Sequence, residues 1–446
     1  MATAKDKKAT KTKAASTKKE TLKAKPVAAS AVSKKEAQKK ISPARKAPTL
    51  NVPALISTGS LMPVRLNLKK TTPVAKPKLV NIFFTGFPGF IGKRIIRALL
   101  SSESNLFFNF LIQEKFRKMA ESSIEQISAE FPKFASNHKL IAGDLTKNQF
   151  GLDDEAYNKL AASTSIVWHL AAVYDLAVPE GIAYQINVEG TRRILDFCEK
   201  APHLKKFVYF STCYVSGFRT GLILEDELNH EKGFKNHYES TKYEAEVLVR
   251  RCGDKIPTII IRPSIVIGDS VSGETDKFDG PYFLMRLFAD LERRNFLIKG
   301  LRLPSLGRAG AYFNLVPIDY LINAVIHIQN DPRNFGKCFQ VCDPNPLKGR
   351  EFYDEVYQIF GLGKTWGVLP SSLVIWSATL PKLGKFMGIP HQAIPYMEHY
   401  AVYDCKNTLS ALEGAGIRCP YLKDYLPTLA NYVRKHVTDR GLRAKY

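Results

Sequence analysis

The stretch LVNIFFTGFPGFIG, residues 79–92, decides how this chain is read. Its first half is a continuous apolar run of strand length, Leu79–Thr85, and its second half sets Gly86, Gly89 and Gly92 at the entry to a helical stretch, Ile91–Ser101. Each glycine has a separate use at such a junction. Gly86 permits the tight turn, Gly89 lets backbone approach a pyrophosphate, and Gly92 lets the helix pack closely on its strand, with the helix N-terminus facing the phosphates. Three glycines at a strand-to-helix junction also serve a plain turn, so the rest of the chain has to decide between the two.

Outward from this loop, apolar runs alternate with helical stretches. Strands are expected at Phe107–Gln113, Lys139–Ala142, Ser165–Ala171, Lys206–Ser211 and Thr258–Arg262. The helices between them are Lys115–Phe131, Asp154–Ala162, Ile182–Lys200 and Tyr238–Cys252. That alternation builds an α/β, doubly wound parallel sheet of Rossmann type. Beyond Gly273 it loosens. The expected organisation is a disordered Lys/Ala-rich tail (1–48), a linker (49–78), an NAD(P)-binding domain (79–272) and a smaller C-terminal substrate-binding subdomain (273–446), of which 313–340 returns to the sheet.

Composition agrees with a large folded body and a separate basic end. The 446 residues are 45% apolar and carry 65 Lys and Arg against 42 Asp and Glu. Residues 1–78 hold 20 of those cations and 3 of the acids, which leaves the body only mildly basic at 45 against 39. Segment 1–48 is too poor in large apolar groups to offset the entropy of ordering. Its Lys/Ala/Pro composition is that of a polycation, which binds nucleic acid or an anionic membrane weakly through counterion release. A transit peptide fits less well, because Lys stands where Arg is usual, and a merely solubilising tail is the plain alternative. The seven cysteines are scattered with no CxxC pair, as expected in a reduced, cytoplasmic compartment. No apolar stretch reaches the length of a spanning helix; the nearest, Gly367 to Leu380, is broken by Pro370, Ser371 and Ser372.

Chemistry concentrates at Tyr238-Glu239-Ser240-Thr241-Lys242, on the helix that follows Asn236. A spacing of four puts phenol and ammonium on one helix face, where the cation is expected to lower the Tyr238 pKa from its reference of about 10. Tyr238 then becomes usable as a proton donor or acceptor near neutral pH. A lone pair of this kind is common on amphipathic helices. Upstream, Ser211-Thr212-Cys213 closes a strand, and the Thr212 hydroxyl could share a substrate oxygen with Tyr238. Asp144, after the third strand, is placed to accept from an adenine amino group, although an Asp there also serves as a turn residue. Ala171 and Ala172 leave room at the end of the fourth strand, His169 reads as a core histidine, and Asn187 lies on the following helix, behind the site.

With Thr212, Tyr238, Lys242 and the loop Gly86–Gly92 taken together, the chain resembles the extended short-chain dehydrogenase/reductases over residues 79–330. The resemblance implies that Thr212 polarises a carbonyl oxygen and that Tyr238 and Lys242 are the catalytic pair. It implies a cofactor-binding set of Gly86, Gly89, Phe90, Ile91, Gly92, Asp144, Leu145, Ala171, Ala172, Asn187, Tyr238, Lys242, Pro263 and Ile265. Within that superfamily, Gly143-Asp144-Leu145, His169-Leu170-Ala171-Ala172, Asn187-Val188-Glu189-Gly190-Thr191, Arg262-Pro263-Ser264 and Val316-Pro317-Ile318-Asp319 are most similar to thioester reductase domains and fatty acyl-CoA reductases. The reaction implied is reduction of an acyl thioester, on coenzyme A or a carrier protein, to an aldehyde or alcohol.

Lys115 and Arg117, just past the second strand, could pair a ribose 2′-phosphate and favour NADP(H), whereas Glu114 would suit NAD(H). Phe278–Phe288 and Val368–Tyr400 have the apolar character to take an acyl chain, or simply to pack the subdomain. Cys213 is expected to be a core residue. Two further enzyme readings share the scaffold: a ketone or hydroxysteroid-type dehydrogenase, and a sugar-nucleotide epimerase or dehydratase. A different class is a cofactor-binding scaffold with a nucleic-acid-binding tail. A homodimer is compatible with all of them.

Overall fold

The structure, a computed structural model, describes residues 79–296, 299–370, 372–373 and 391–442. The expected tail 1–48, the linker 49–78 and most of the apolar stretch Gly367–Leu380 lie outside the described residues. Among those described, no helix is long and apolar enough to cross a membrane.

The first two-thirds of the described chain alternates strand and helix: β1 (Val80–Thr85), α1 (Phe90–Ser102), β2 (Leu106–Ile112), α2 (Arg117–Glu130), β3 (His138–Ala142), α3 (Asp154–Ser163), β4 (Ile166–His169), α4 (Glu180–Ala183), α5 (Gly190–Lys200), β5 (Lys206–Phe210), β6 (Gly221–Ile223), α6 (His237–Arg251), β7 (Thr258–Pro263) and β8 (Ile265–Ile267). Six of these strands and Cys338–Val341 form one parallel sheet in the order Cys338–Val341, β7, β5, β4, β1, β2, β3. Strand order reverses between β1 and β4. That is the point where an open parallel sheet leaves a crevice at its carboxyl ends. The fold is therefore the α/β, Rossmann-type doubly wound sheet expected from the sequence.

Burial on both faces explains the continuous apolar runs. On one face Phe84, Phe108, Phe110, Trp168, Ile259 and Ile261 pack with Ile95 and Leu99 of α1 and with Ile318, Leu321 and Val325 of the later helix Ile318–Gln329. On the other, Phe83, Val167, Phe207, Tyr209 and Ile260 pack with Ile194 and Phe197 of α5 and Ala245 and Val249 of α6. Successive residues such as Phe83 and Phe84 enter opposite cores, the period of two of a strand. Full burial of each such ring contributes on the order of 2 kcal/mol.

Differences from expectation lie at element ends. The helix expected from Lys115 opens as a single 3₁₀ turn, Glu114–Phe116, ahead of α2. The strand expected to reach Ala171 stops at His169, because Leu170 and Ala171 turn away to line a cavity. The helix expected over Ile182–Lys200 is interrupted by a π-helical turn, Tyr184–Glu189, between α4 and α5.

C-terminal to β8, a second core gathers Tyr282, Met285 and Phe288 on one helix, Phe352, Tyr353 and Tyr357 on another, and Leu422, Leu426, Leu429 and Val433 on a third. Leu315–Pro317 pairs in parallel with β8, so this core is stitched to the end of the main sheet.

Candidate active site

A cavity of about 500 Å³ opens at the carboxyl ends of the strands, at the β1/β4 reversal. Its floor is the glycine loop. Gly86 has φ of +93°, and a Cβ there would lie 2.8 Å from the Leu170 side chain and 2.9 Å from the Ala171 nitrogen. Gly89 N–H donates to the Gly86 carbonyl at 2.9 Å, which closes the turn. At Gly92 a Cβ would sit 3.0 Å from the Gly86 oxygen, so α1 approaches its own loop as closely as backbone allows. Gly86, Gly89, Phe90, Ile91, Gly92, Ala171 and Ala172 all line the cavity, as do Pro263 and Ile265 across it. These residues fit a dinucleotide: a backbone cradle free of side chains ends on the first turn of α1.

Behind the loop, His169 joins strand and helix. Its Nδ1 lies 2.7 Å from Thr85 Oγ1 and its Nε2 lies 3.0 Å from Thr191 Oγ1. Burial, with the Lys242 charge nearby, pulls its pKa down to about 3, so it is a neutral structural histidine. Asn187 is buried on the π-helical turn, accepts from the Val173 N–H at 2.9 Å and donates to Thr241 Oγ1 at 3.0 Å. It ties the segment after β4 to α6 without reaching the cavity wall.

Thr212, Tyr238 and Lys242 come together in that wall. Thr212 follows β5, where its hydroxyl donates to the Pro263 carbonyl at 3.4 Å and accepts from the Tyr214 N–H at 3.3 Å. Tyr238 stands in the first turn of α6, which Asn236 caps by accepting the Glu239 N–H at 3.0 Å. Lys242, one turn on, donates to the Phe210 carbonyl at 2.6 Å and to the Tyr209 hydroxyl at 3.0 Å.

One expectation is overturned here. Burial raises the Tyr238 pKa well above its ordinary value; a hydrogen bond with Thr212 works against that rise, and the Glu239 charge adds to it. Lys242 is not among the groups that counter the rise; loss of hydration draws its own pKa down to about 7 despite the Glu246 carboxylate. Tyr238 is thus held as a neutral phenol, and the Lys242 pKa is drawn down to near neutrality.

Other expected site residues lie elsewhere. The Asp144 carboxylate accepts from Thr146 N–H at 2.9 Å, Thr146 Oγ1 at 2.8 Å and Gln113 Nε2 at 3.0 Å, closing its own turn. Leu145 packs in the core below, against Gly190. Arg117 is held by Glu114 through two bonds of 2.6 and 3.0 Å, and Lys115 lies over the Phe116 ring.

Two buried charges support the trio, Arg262 of the motif quoted above and Glu246, which no expectation named. Glu246, one turn beyond Lys242, grips Arg262 of β7 through bonds of 2.9 and 2.6 Å and accepts from Ser211 Oγ at 2.6 Å. It fastens α6, β7 and the residue before Thr212 to one another. Its position four residues after Lys242 on the buried face was the available signal. The seven cysteines are free thiols, and Cys213 is fully buried, donating to the Arg262 carbonyl.

A family model described as male sterility protein, for an NAD-binding domain, matches residues 84–325. The chain belongs to that family. It is 30% identical over 275 residues to L-2-aminoadipate reductase of Saccharomyces cerevisiae, covering 57% of this chain and 19% of that protein. Against fatty acyl-CoA reductase 1 of Gallus gallus it is 27% identical over 299 residues, covering 57% of this chain and 56% of that protein. The chain thus spans a fifth to just over half of these curated relatives.

Among solved structures, the terminal R domain of the myxalamid PKS-NRPS pathway superposes with a TM-score of 0.68 at 22% identity, covering 82% of this chain and 93% of that one. UDP-glucuronic acid 4-epimerase of Bacillus cereus superposes with a TM-score of 0.55 at 18% identity, covering 80% and 99%. Both likenesses are of fold. Family and fold together identify an extended short-chain dehydrogenase/reductase of the thioester reductase and fatty acyl-CoA reductase group.

Proposed function

We propose that this chain is an NADP(H)-dependent reductase of acyl thioesters, carried on coenzyme A or on a carrier-protein arm, that releases an aldehyde or, after a second reduction, an alcohol. The observation that carries this reading is that Thr212, Tyr238 and Lys242 share one cavity with the glycine loop. The far wall of that cavity is apolar and aromatic, with Phe283, Leu284, Phe313, Phe352 and Tyr353. The dinucleotide, when bound, supplies the hydride that the thioester carbonyl carbon receives. Thr212 and Tyr238 are the donors to the oxygen on which charge develops, and Tyr238 gives it a proton. Collapse of the resulting hemithioacetal breaks the C–S bond, the thiol leaves with the proton, and aldehyde remains. No enzyme nucleophile is required, in keeping with the burial of Cys213.

The NADP(H) preference rests on Lys115 and Arg117. The Glu114–Arg117 pair lies at the surface, where water screens it, so a 2′-phosphate can recruit Arg117 at small cost. Against a sugar-nucleotide substrate stands the composition of the wall: among the described residues it carries Lys242 and Lys277 but no arginine to receive a diphosphate. The apolar wall suits an acyl chain. We assign the activity to the cytoplasm, and to residues 1–78, with 20 cations and 3 acids, a salt-sensitive attraction to phosphate polyanions.

The test is cofactor oxidation by the purified full chain with NADPH or NADH and a panel of acyl-CoA and acyl-pantetheine thioesters, ketones and UDP-sugars. Aldehyde or alcohol from thioesters, with NADPH the better donor, is the expected result. Turnover confined to ketones or UDP-sugars would overturn the assignment.

A further inference from the structure

Tyr396 belongs to the 3₁₀ segment His391–Glu398, 157 residues after Glu239 of the catalytic helix, and its ring forms part of the cavity wall. Its hydroxyl donates to Glu239 Oε1 at 2.7 Å and accepts from Asn236 Nδ2 at 2.9 Å. Those two partners flank Tyr238 in sequence. Asn236 also caps the first turn of α6 through the Glu239 N–H, and Glu239 Oε2 accepts the Lys235 N–H at 3.0 Å, with Lys235 Nζ 3.6 Å from Oε1. The same Tyr396 ring meets Tyr214 edge-on at 5.1 Å between centroids, two residues after Thr212. One phenol therefore touches the neighbours of both groups that handle the substrate oxygen.

This arrangement is costly as a device for stability alone. The Glu239 side chain is fully buried beside the cavity, and stripping water from a carboxylate carries a penalty that a single cation and a few hydrogen bonds return only with good geometry. An apolar pair of the same volume would pack the same space more cheaply. What the closed ring of Asn236, Glu239 and Tyr396 supplies is direction, since each hydrogen bond fixes an angle in the turn that carries Tyr238.

Resting on the reductase reading above, the geometry points to Tyr396 as a positioning residue, through which the C-terminal half of the cavity sets the orientation of Tyr238. Substrate lying against the Tyr396 ring then acts on the proton donor through Glu239 and Asn236.

Tyr396→Phe keeps the ring and removes only the hydroxyl. With active enzyme it lowers kcat by roughly ten- to a hundredfold, the order expected for a small misplacement of a reacting group, while the dissociation constant for NADPH stays unchanged. Glu239→Gln lowers kcat similarly, and the double variant is no slower than the worse single one, because the two act as a unit. Tyr357→Phe is the control: its hydroxyl donates to the Pro304 carbonyl at 2.7 Å inside the C-terminal core, and its loss leaves kcat in place.

A second readout does not need turnover. Tyrosine labelled with ¹³C at Cζ reports each phenol by NMR, and the Tyr238 line is assigned by its disappearance in Tyr238→Phe. In Tyr396→Phe that line moves, whereas in Tyr357→Phe it does not. An unmoved line, or additive effects on kcat, overturns the positioning role. A moved line in a protein that reduces no thioester upholds the positioning role and removes the reductase reading instead.

Discussion

Lys242 is subject to two opposed demands: burial strips water from its ammonium, while the Phe210 carbonyl and Tyr209 hydroxyl both accept from it. The outcome is a folded pKa of about 7, against about 10.4 in an unfolded chain. Below pH 7 both states are protonated and the folded protein bears the full cost of the buried charge. Between those two values the unfolded chain binds more protons, so stability rises with pH, by up to about 1.4 kcal/mol per unit. Lys242→Met, which keeps the volume and drops the charge, is therefore more stable than wild type at pH 6, and the gap closes toward pH 10. Urea denaturation across that range checks it, and a gap independent of pH would contradict the assignment. The four-residue spacing of Tyr238 and Lys242 was legible in the sequence; the direction of their pKa shifts was not. Lys242 answers to a carbonyl 32 positions earlier, on β5, and that is a tertiary fact. Of the two roles open to Asp144, the structure shows the turn. Thr146, two residues on, closes an Asx turn on it, a local contact of the kind an Asp after a strand announces.

At the scale of elements, α6 is held by its cap at Asn236 and by Glu246 near its middle. Glu246 and Arg262 are 0% and 1% exposed, and removing Glu246 leaves Arg262 a buried cation without its carboxylate, whereas Glu246 keeps Arg250 if Arg262 is lost. Glu246→Gln should accordingly lose about 3 kcal/mol of unfolding free energy in urea, whereas replacing both partners by Met recovers most of it. A loss under about 0.5 kcal/mol would show that the pair does not join helix to sheet. The strands that reached the sequence reading are those with long apolar runs buried on both faces, such as β1 and β2. Short strands such as β6 escaped it, because Gly221–Ile223 is defined only by its pairing with Ala401–Tyr403, far along the chain. The π-helical turn Tyr184–Glu189 escaped for a related reason: it carries Asn187, whose partners are Val173 and Thr241, and no local periodicity announces either contact.

For the whole molecule, the sheet reversal at β1/β4 fixes where the cavity and its glycine loop lie, and the C-terminal core supplies the wall opposite. The first half was legible because its motifs fall at fixed intervals along the strand ends, from Gly86 through Thr212 to Tyr238. The second half carried no comparable pattern beyond about Lys348, and its contribution through Tyr396 depends on bringing residue 396 back to the first turn of α6. On the proposed reading, the phenol of Tyr238 supplies the proton in a reduction carried out at this cavity. Tyr238→Phe with NADPH and an acyl thioester tests it most directly. In that variant NADPH binds with its wild-type dissociation constant while turnover falls by about 10²-fold or more. Turnover within a few-fold of wild type, with binding intact, would contradict it.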